Sequence, residues 1–203
     1  MNGECVMKIS KDFIQHVRTH LKEYNFKLIF ANAYQVNTGS GYRCTGFFDD
    51  SRRVIRVAKR AANWFETLLH EYCHFLDWLE STSKQLNRET KALAICERYV
   101  MGDICLSPRI INAFRIAAHM EWKCDKRAVK LIQEWNLPIN TEKYIREAHL
   151  YVYLYHMYRK HRTFNARQPS WRILAEMPDT FRSRSWYAVP ARVERKLERL
   201  FEG

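Results

Sequence analysis

Residues 64–79 read WFETLLHEYCHFLDWL, and the spacing inside this stretch organises the rest of the chain. Wound as a helix, it gathers Trp64, Phe65, Leu68, Leu69, Tyr72, Phe75, Leu76 and Leu79 on one side and leaves His70, His74 and Asp77 as a polar stripe on the other. His70 and His74 stand four residues apart, about one turn, so both imidazoles can ligate the same ion. Glu71 completes a His-Glu-x-x-His pattern beside them. A helix with so continuous an apolar back is buried behind and faces a cleft in front.

The chain has 203 residues of which 47% are apolar, enough for one well-cored domain. The expectation is a single domain over 1–203 with a basic C-terminal extension from about residue 164. The opening MNGECVMKIS has neither the basic nor the continuous apolar region of a secretory leader, and no run reaches the length of a membrane span. A soluble cytoplasmic protein with no membrane partner is therefore expected. The six cysteines are spread singly without a Cys-x-x-Cys pair, which reads as reduced thiols; Cys73 and Cys124 are packing residues on this reading.

The net charge of +12 is weighted toward the C-terminus. Between His156 and Arg184 the cations Arg159, Lys160, Arg162, Arg167, Arg172, Arg182 and Arg184 meet only Glu176 and Asp179. Phe164, Trp171, Phe181 and the nearby Trp186 are interleaved with them. Basic and aromatic side chains together can hold phosphates and stack bases, making nucleic acid a candidate partner of the basic C-terminal half. A solvated basic surface, or one favouring an acidic protein, is the other reading.

In chain order, Lys11 to Tyr24 has helical apolar spacing and Phe26 to Val36 is strand-like. Residues 37–41 form a turn cluster, and further strands are predicted near Cys44–Phe48 and Val54–Ala58. This is a small antiparallel sheet placed just before the metal-binding helix. Arg53 to Val57 is either an exposed edge on which an extended peptide could lie or an ordinary inner strand. Ser81 to Asn87 reads as a polar loop, and helices are predicted over Arg88–Met101, Arg109–Trp135 and Asn140–His161. Gln168-Pro169-Ser170 and Met177-Pro178-Asp179 punctuate a loop-rich segment before a short helix from Pro190.

On the helix from Arg109, the residues Ala117, Ala118, Cys124 and Ala128 share a face with Glu121 and Asp125. Small residues permit the close approach that a third, carboxylate ligand needs, so Glu121 is the candidate. Asp125, one turn later, is placed to accept a hydrogen bond from the other nitrogen of a liganded histidine. On the helix from Asn140, His149, Tyr153 and His156 form a stripe that could supply a donor to a developing oxyanion, or could simply pack.

His70-Glu71-x-x-His74 followed by Glu121-x-x-Cys124-Asp125-x-x-Ala128 resembles the two-helix signature of small gluzincin metallopeptidases, including the ImmA/IrrE type, with Cys124 where alanine is usual. It is also similar to uncharacterised phage-encoded proteins with a comparable helix, which would place the chain in a host cytoplasm. The resemblance covers about residues 42–132. It implies a zinc ion on His70, His74 and Glu121, Glu71 as general base and Asp125 behind the ligands. A metzincin would need glycine at 77 and His or Asp at 80, where this chain has Asp77 and Glu80. Asp77 shares the histidine face and is either a supporting residue or a ligand. The resulting expectation is an α+β, mostly helical, zincin-like domain that hydrolyses peptide bonds in a protein or peptide substrate. The alternative is a nucleic-acid-associated binding protein with a structural or regulatory metal.

Overall fold

Helix α1 spans Gly3–Glu23, starting well before the Lys11 that apolar spacing alone predicts. Its Phe13, Val17 and Leu21 are fully buried, the one-face spacing that makes an amphipathic helix dock. Asn25, at φ 62°, lets the Phe26 amide donate back to the Leu21 carbonyl at 2.9 Å and turns the chain out of the helix. The computed structural model describes residues 3–38, 43–164, 170–182 and 190–201, without the side chains of 3–7 and 171. The chain divides into two compact units, Met1–Ser81 with Arg127–Ile139, and Thr82–Lys126 with Asn140–Gly203.

In the first unit α1 leads into strands β1 (Lys27–Ala31), β2 (Val36–Asn37), β3 (Arg43–Cys44), β4 (Gly46–Asp49) and β5 (Val54–Ala58), followed by helix α2 (Trp64–Glu80). The main sheet has the order β1-β5-β4, and β2 pairs with β3 separately. The sheet is mixed, where an antiparallel one was expected: β5 runs antiparallel to β4 but parallel to β1. Connection length explains this. A short turn joins β4 to β5 and forces reversal, whereas the long path from β1 through β2, β3 and β4 lets β5 return in the same direction. In that short turn the Asp49 carboxylate accepts from Ser51 Oγ at 2.6 Å and from the Arg52 amide at 2.9 Å.

β5 is therefore an inner strand, which overturns the reading of Arg53–Val57 as an edge. Val54, Ile55, Val57 and Ala58 are all buried, so only Arg56 of the strand faces solvent. Among the described residues β1 and β4 end the sheet. The apolar back of α2 packs over β4 and β5. Leu68, Leu69 and Phe75 there are fully buried, each such side chain contributing roughly 1.5–3 kcal/mol of burial free energy. Phe26 stacks on Phe48 and meets Phe75 edge-on, sealing the end of this layer. Of the turn expected at 37–41, residues 39–41 lie outside the described residues.

The second unit is helical: α3 (Ser83–Met101), α4 (Pro108–Glu134) up to Lys126, α5 (Thr141–His161), α6 (Trp171–Leu174) and α7 (Ala191–Glu198). Residues 83–87, expected as loop, are the first turns of α3, because the Thr82 side chain accepts from the Gln85 amide and caps them. Gly102, at φ 93°, ends that helix and accommodates a left-handed turn that a side chain would strain. Ala92, Cys96 and Tyr99 of α3 bury against Ala113, Phe114 and Ala117 of α4, with Val152 and Tyr155 of α5 in the same cluster. A second cluster joins Leu150, Tyr153 and Met157 of α5 to Ile173, Met177, Val193 and Leu197, so the described residues after 164 contribute to a core. Among the described residues no helix is long and apolar enough to cross a membrane.

Candidate metal centre

The geometry of α2 follows from its neighbours. Its Thr67 hydroxyl donates to Thr45 Oγ at 3.1 Å, and Gly46, the first residue of β4, lies directly against it. A Cβ at Gly46 would stand 2.5 Å from Thr67 Cγ2, 2.9 Å from the Arg56 carbonyl oxygen and 3.5 Å from Glu71 Cγ. Only glycine lets strand and helix approach this closely. The consequence is that Glu71 is 9% exposed, with β4 running past its side chain. Burial, and then the Glu71 charge, push the neighbouring Cys44 thiol up to about 11, so that thiol stays protonated.

On the polar stripe, His70 and His74 are half-buried and their Nε2 atoms stand 3.1 Å apart. Asp77, one turn further, is buried, and its charge is among those that raise the Arg127 guanidinium. The largest cause there is Glu80, whose carboxylate accepts both arms of Arg127, one at 2.7 Å. Glu80 thus anchors the end of α2 to the last turns of α4.

On α4, Ala117, Ala118, Cys124 and Ala128 are buried as their spacing predicts, and Cys124 is a packing residue. Glu121 is half-buried, and its Oε1 accepts a hydrogen bond of 3.2 Å from Tyr155 Oη on α5. Asp125 is 4% exposed and accepts from Tyr144 Oη at 2.9 Å. Two tyrosines of α5 therefore hold the two acids of α4. Neither was singled out from sequence, although Tyr144 and Tyr155 follow the helical spacing of the buried face of α5. Burial, with the Glu121 charge second, raises the Tyr155 hydroxyl well above its usual range, so it remains a donor.

Among the described residues, His70, His74 and Glu121 offer ligand atoms that all lie within 4.8 Å of one another, and this group could hold a metal ion. The donor set fits one. Two ligands at ~2.0–2.1 Å from a tetrahedral ion stand ~3.3–3.4 Å apart. The observed imidazole pair needs only a small adjustment to reach that separation.

The three α5 residues expected as oxyanion donors occupy buried or half-buried positions in the second unit. His149 is fully buried and its Nε2 donates to the Thr180 carbonyl at 3.0 Å. Burial keeps its pKa below the usual value, with Arg182 adding to the shift and the Thr180 bond and Asp125 opposing it. Tyr153 is 1% exposed among Leu150, Met157 and Ile173. His156 is half-buried and pushed down to about 4, by burial first and then Arg159.

Of the basic segment expected to face nucleic acid, Lys160 is paired with Glu194 and Glu198, and Arg162 donates to the carbonyls of Tyr99 and Ile104. Arg167, Gln168, Pro169, Arg184 and Trp186 lie outside the described residues. Comparison with protein-family models, with curated proteins and with solved structures gives no match.

Proposed function

We propose that this protein is a zinc-dependent metallopeptidase of gluzincin type, as its two-helix signature suggests. The observation that carries the reading is the convergence of His70, His74 and Glu121 with Glu71 adjacent in the chain. Two histidines and one carboxylate leave a fourth position open, and zinc bound there would polarise a scissile carbonyl and lower the pKa of water. Glu71 would take the proton of the attacking water and pass it to the leaving amine. Its side chain is buried beside Gly46 of β4.

Tyr155 would fix the Glu121 carboxylate, the supporting interaction such a ligand needs. Among the described residues β4 is an edge strand running beside Glu71, and its outer backbone side would take an extended peptide by strand addition. The substrate is thus a protein or peptide in extended form.

The test separates chemistry from folding. Glu71→Gln keeps size and hydrogen bonding but removes the base, so zinc content and melting temperature should match the parent while cleavage of a broad peptide pool falls ~10²–10⁴-fold. Equal cleavage by the variant would refute the assignment of Glu71.

A further inference from the structure

The second unit carries a cation-lined groove that the peptidase reading does not use. A cavity of about 760 Å³ is walled by Lys84, Arg88 and Lys91 of α3 and Arg109 of α4. All four side chains are exposed, and among the described residues none of them is held in an ion pair. A second cavity of about 590 Å³ continues the first, sharing Lys84, Arg88, Asn112 and Ile116 with it. It adds Arg115 and Lys123 as cations, with Glu89 as the carboxylate on its wall. Together they form one groove with six Lys or Arg side chains against that acid.

The positions of the charges describe an extended ligand. Lys84, Arg88 and Lys91 recur along one face of α3 over ~10 Å, and Arg109 to Lys123 extends ~21 Å along α4 at ~1.5 Å per residue. The floor between them is apolar, formed by Ala92, Ile95, Ala113 and Ile116. Asn87 and Asn112 line the same cavity and are exposed.

We infer that this groove binds single-stranded nucleic acid, with its phosphates on the two cation rows and its bases toward the floor. Arginine forks match phosphate oxygens, and the apolar floor suits base faces. The asparagine amides offer donors and acceptors to base edges, whereas the carboxylates of an acidic peptide could use the donors alone. A stiff duplex presents its phosphates on a convex surface, while a single strand can enter a cleft between two helices. The net charge of +12 draws a polyanion toward the groove. This inference is independent of the metal centre.

Fluorescence anisotropy of the full chain with a labelled single-stranded 20-mer, titrated from ~50 to ~200 mM salt, tests it. The triple variant Arg88→Ala, Lys91→Ala, Arg109→Ala should weaken binding at least tenfold. It should also flatten the plot of log affinity against log salt by ~2, or ~0.7 for each phosphate no longer neutralised. The control triple Lys22→Ala, Lys27→Ala, Lys59→Ala removes the same charge from exposed sites in the first unit and should leave most of the affinity. Should the groove triple fail to fold, the single variants Lys84→Ala and Lys91→Ala should each flatten the slope by ~0.7. No binding at ~50 mM salt, or equal losses in both triples, would overturn the proposal. Displacement of the oligonucleotide by an equal concentration of poly-glutamate would likewise overturn it, by identifying an acidic protein as the occupant.

Discussion

Gly46 leaves no room for a side chain beside α2. A methyl group there would meet Thr67 at 2.5 Å and the backbone oxygen of Arg56 at 2.9 Å, and a carbonyl in the middle of a sheet cannot yield. Gly46→Ala should therefore destabilise by ~1–3 kcal/mol through overpacking, read as a lower denaturation midpoint. The same methyl would meet Glu71 Cγ at 3.5 Å, an ordinary van der Waals contact, so the clash lies with Thr67 and the Arg56 carbonyl. A midpoint within error of the parent would contradict this packing.

His156 predicts a pH dependence of stability. Its ordinary pKa is 6.5 and the folded value is about 4, so between those values the unfolded chain binds the proton more readily. The folded state therefore keeps this contribution above pH 6.5 and loses it as pH falls toward 4, by an amount on the order of 3 kcal/mol. Melting temperatures measured across that window should decline for the parent, and less steeply for His156→Gln. Parallel curves would show that His156 does not govern the acid response.

At the level of elements, α2 was legible because three properties coincide on it: an apolar back, two histidines one turn apart and a glutamate between them. α4 was legible because Ala117, Ala118, Cys124 and Ala128 flank Glu121 and Asp125 at helical spacing. The start of α3 is hidden because residues 81–87 are polar apart from Leu86, yet Thr82 and Gln85 carry the capping pattern that nucleates it. Thr82→Ala should lower stability by ~0.5–2 kcal/mol and speed amide exchange in the first turn of α3. Unchanged exchange there would mean the cap contributes nothing. Strand order was not legible, because alternation of apolar residues does not reveal which neighbours a strand will have. The tyrosine partners of Glu121 and Asp125 were hidden for a related reason. Tyr155 and Glu121 are separated by 34 positions, and only folding brings them within 3.2 Å.

Across the whole molecule, formal charge located an excess of cations but not its use. Lys160 and Arg162, which the sequence places in a basic surface, are engaged by carboxylates and backbone carbonyls. The exposed cations of the groove lie instead on α3 and α4, earlier in the chain. His70, His74 and Glu121 are the group that could hold a metal ion. Metal content therefore tests the central claim most directly. Protein purified without added metal, then analysed by elemental mass spectrometry, should carry close to one zinc per chain. Zinc should be absent from His70→Ala and His74→Ala and weakly held by Glu121→Ala, with folding checked by circular dichroism. A folded parent that takes up no zinc when supplied with it, or a Glu121→Ala variant that binds zinc as tightly as the parent, would contradict the assignment of this centre.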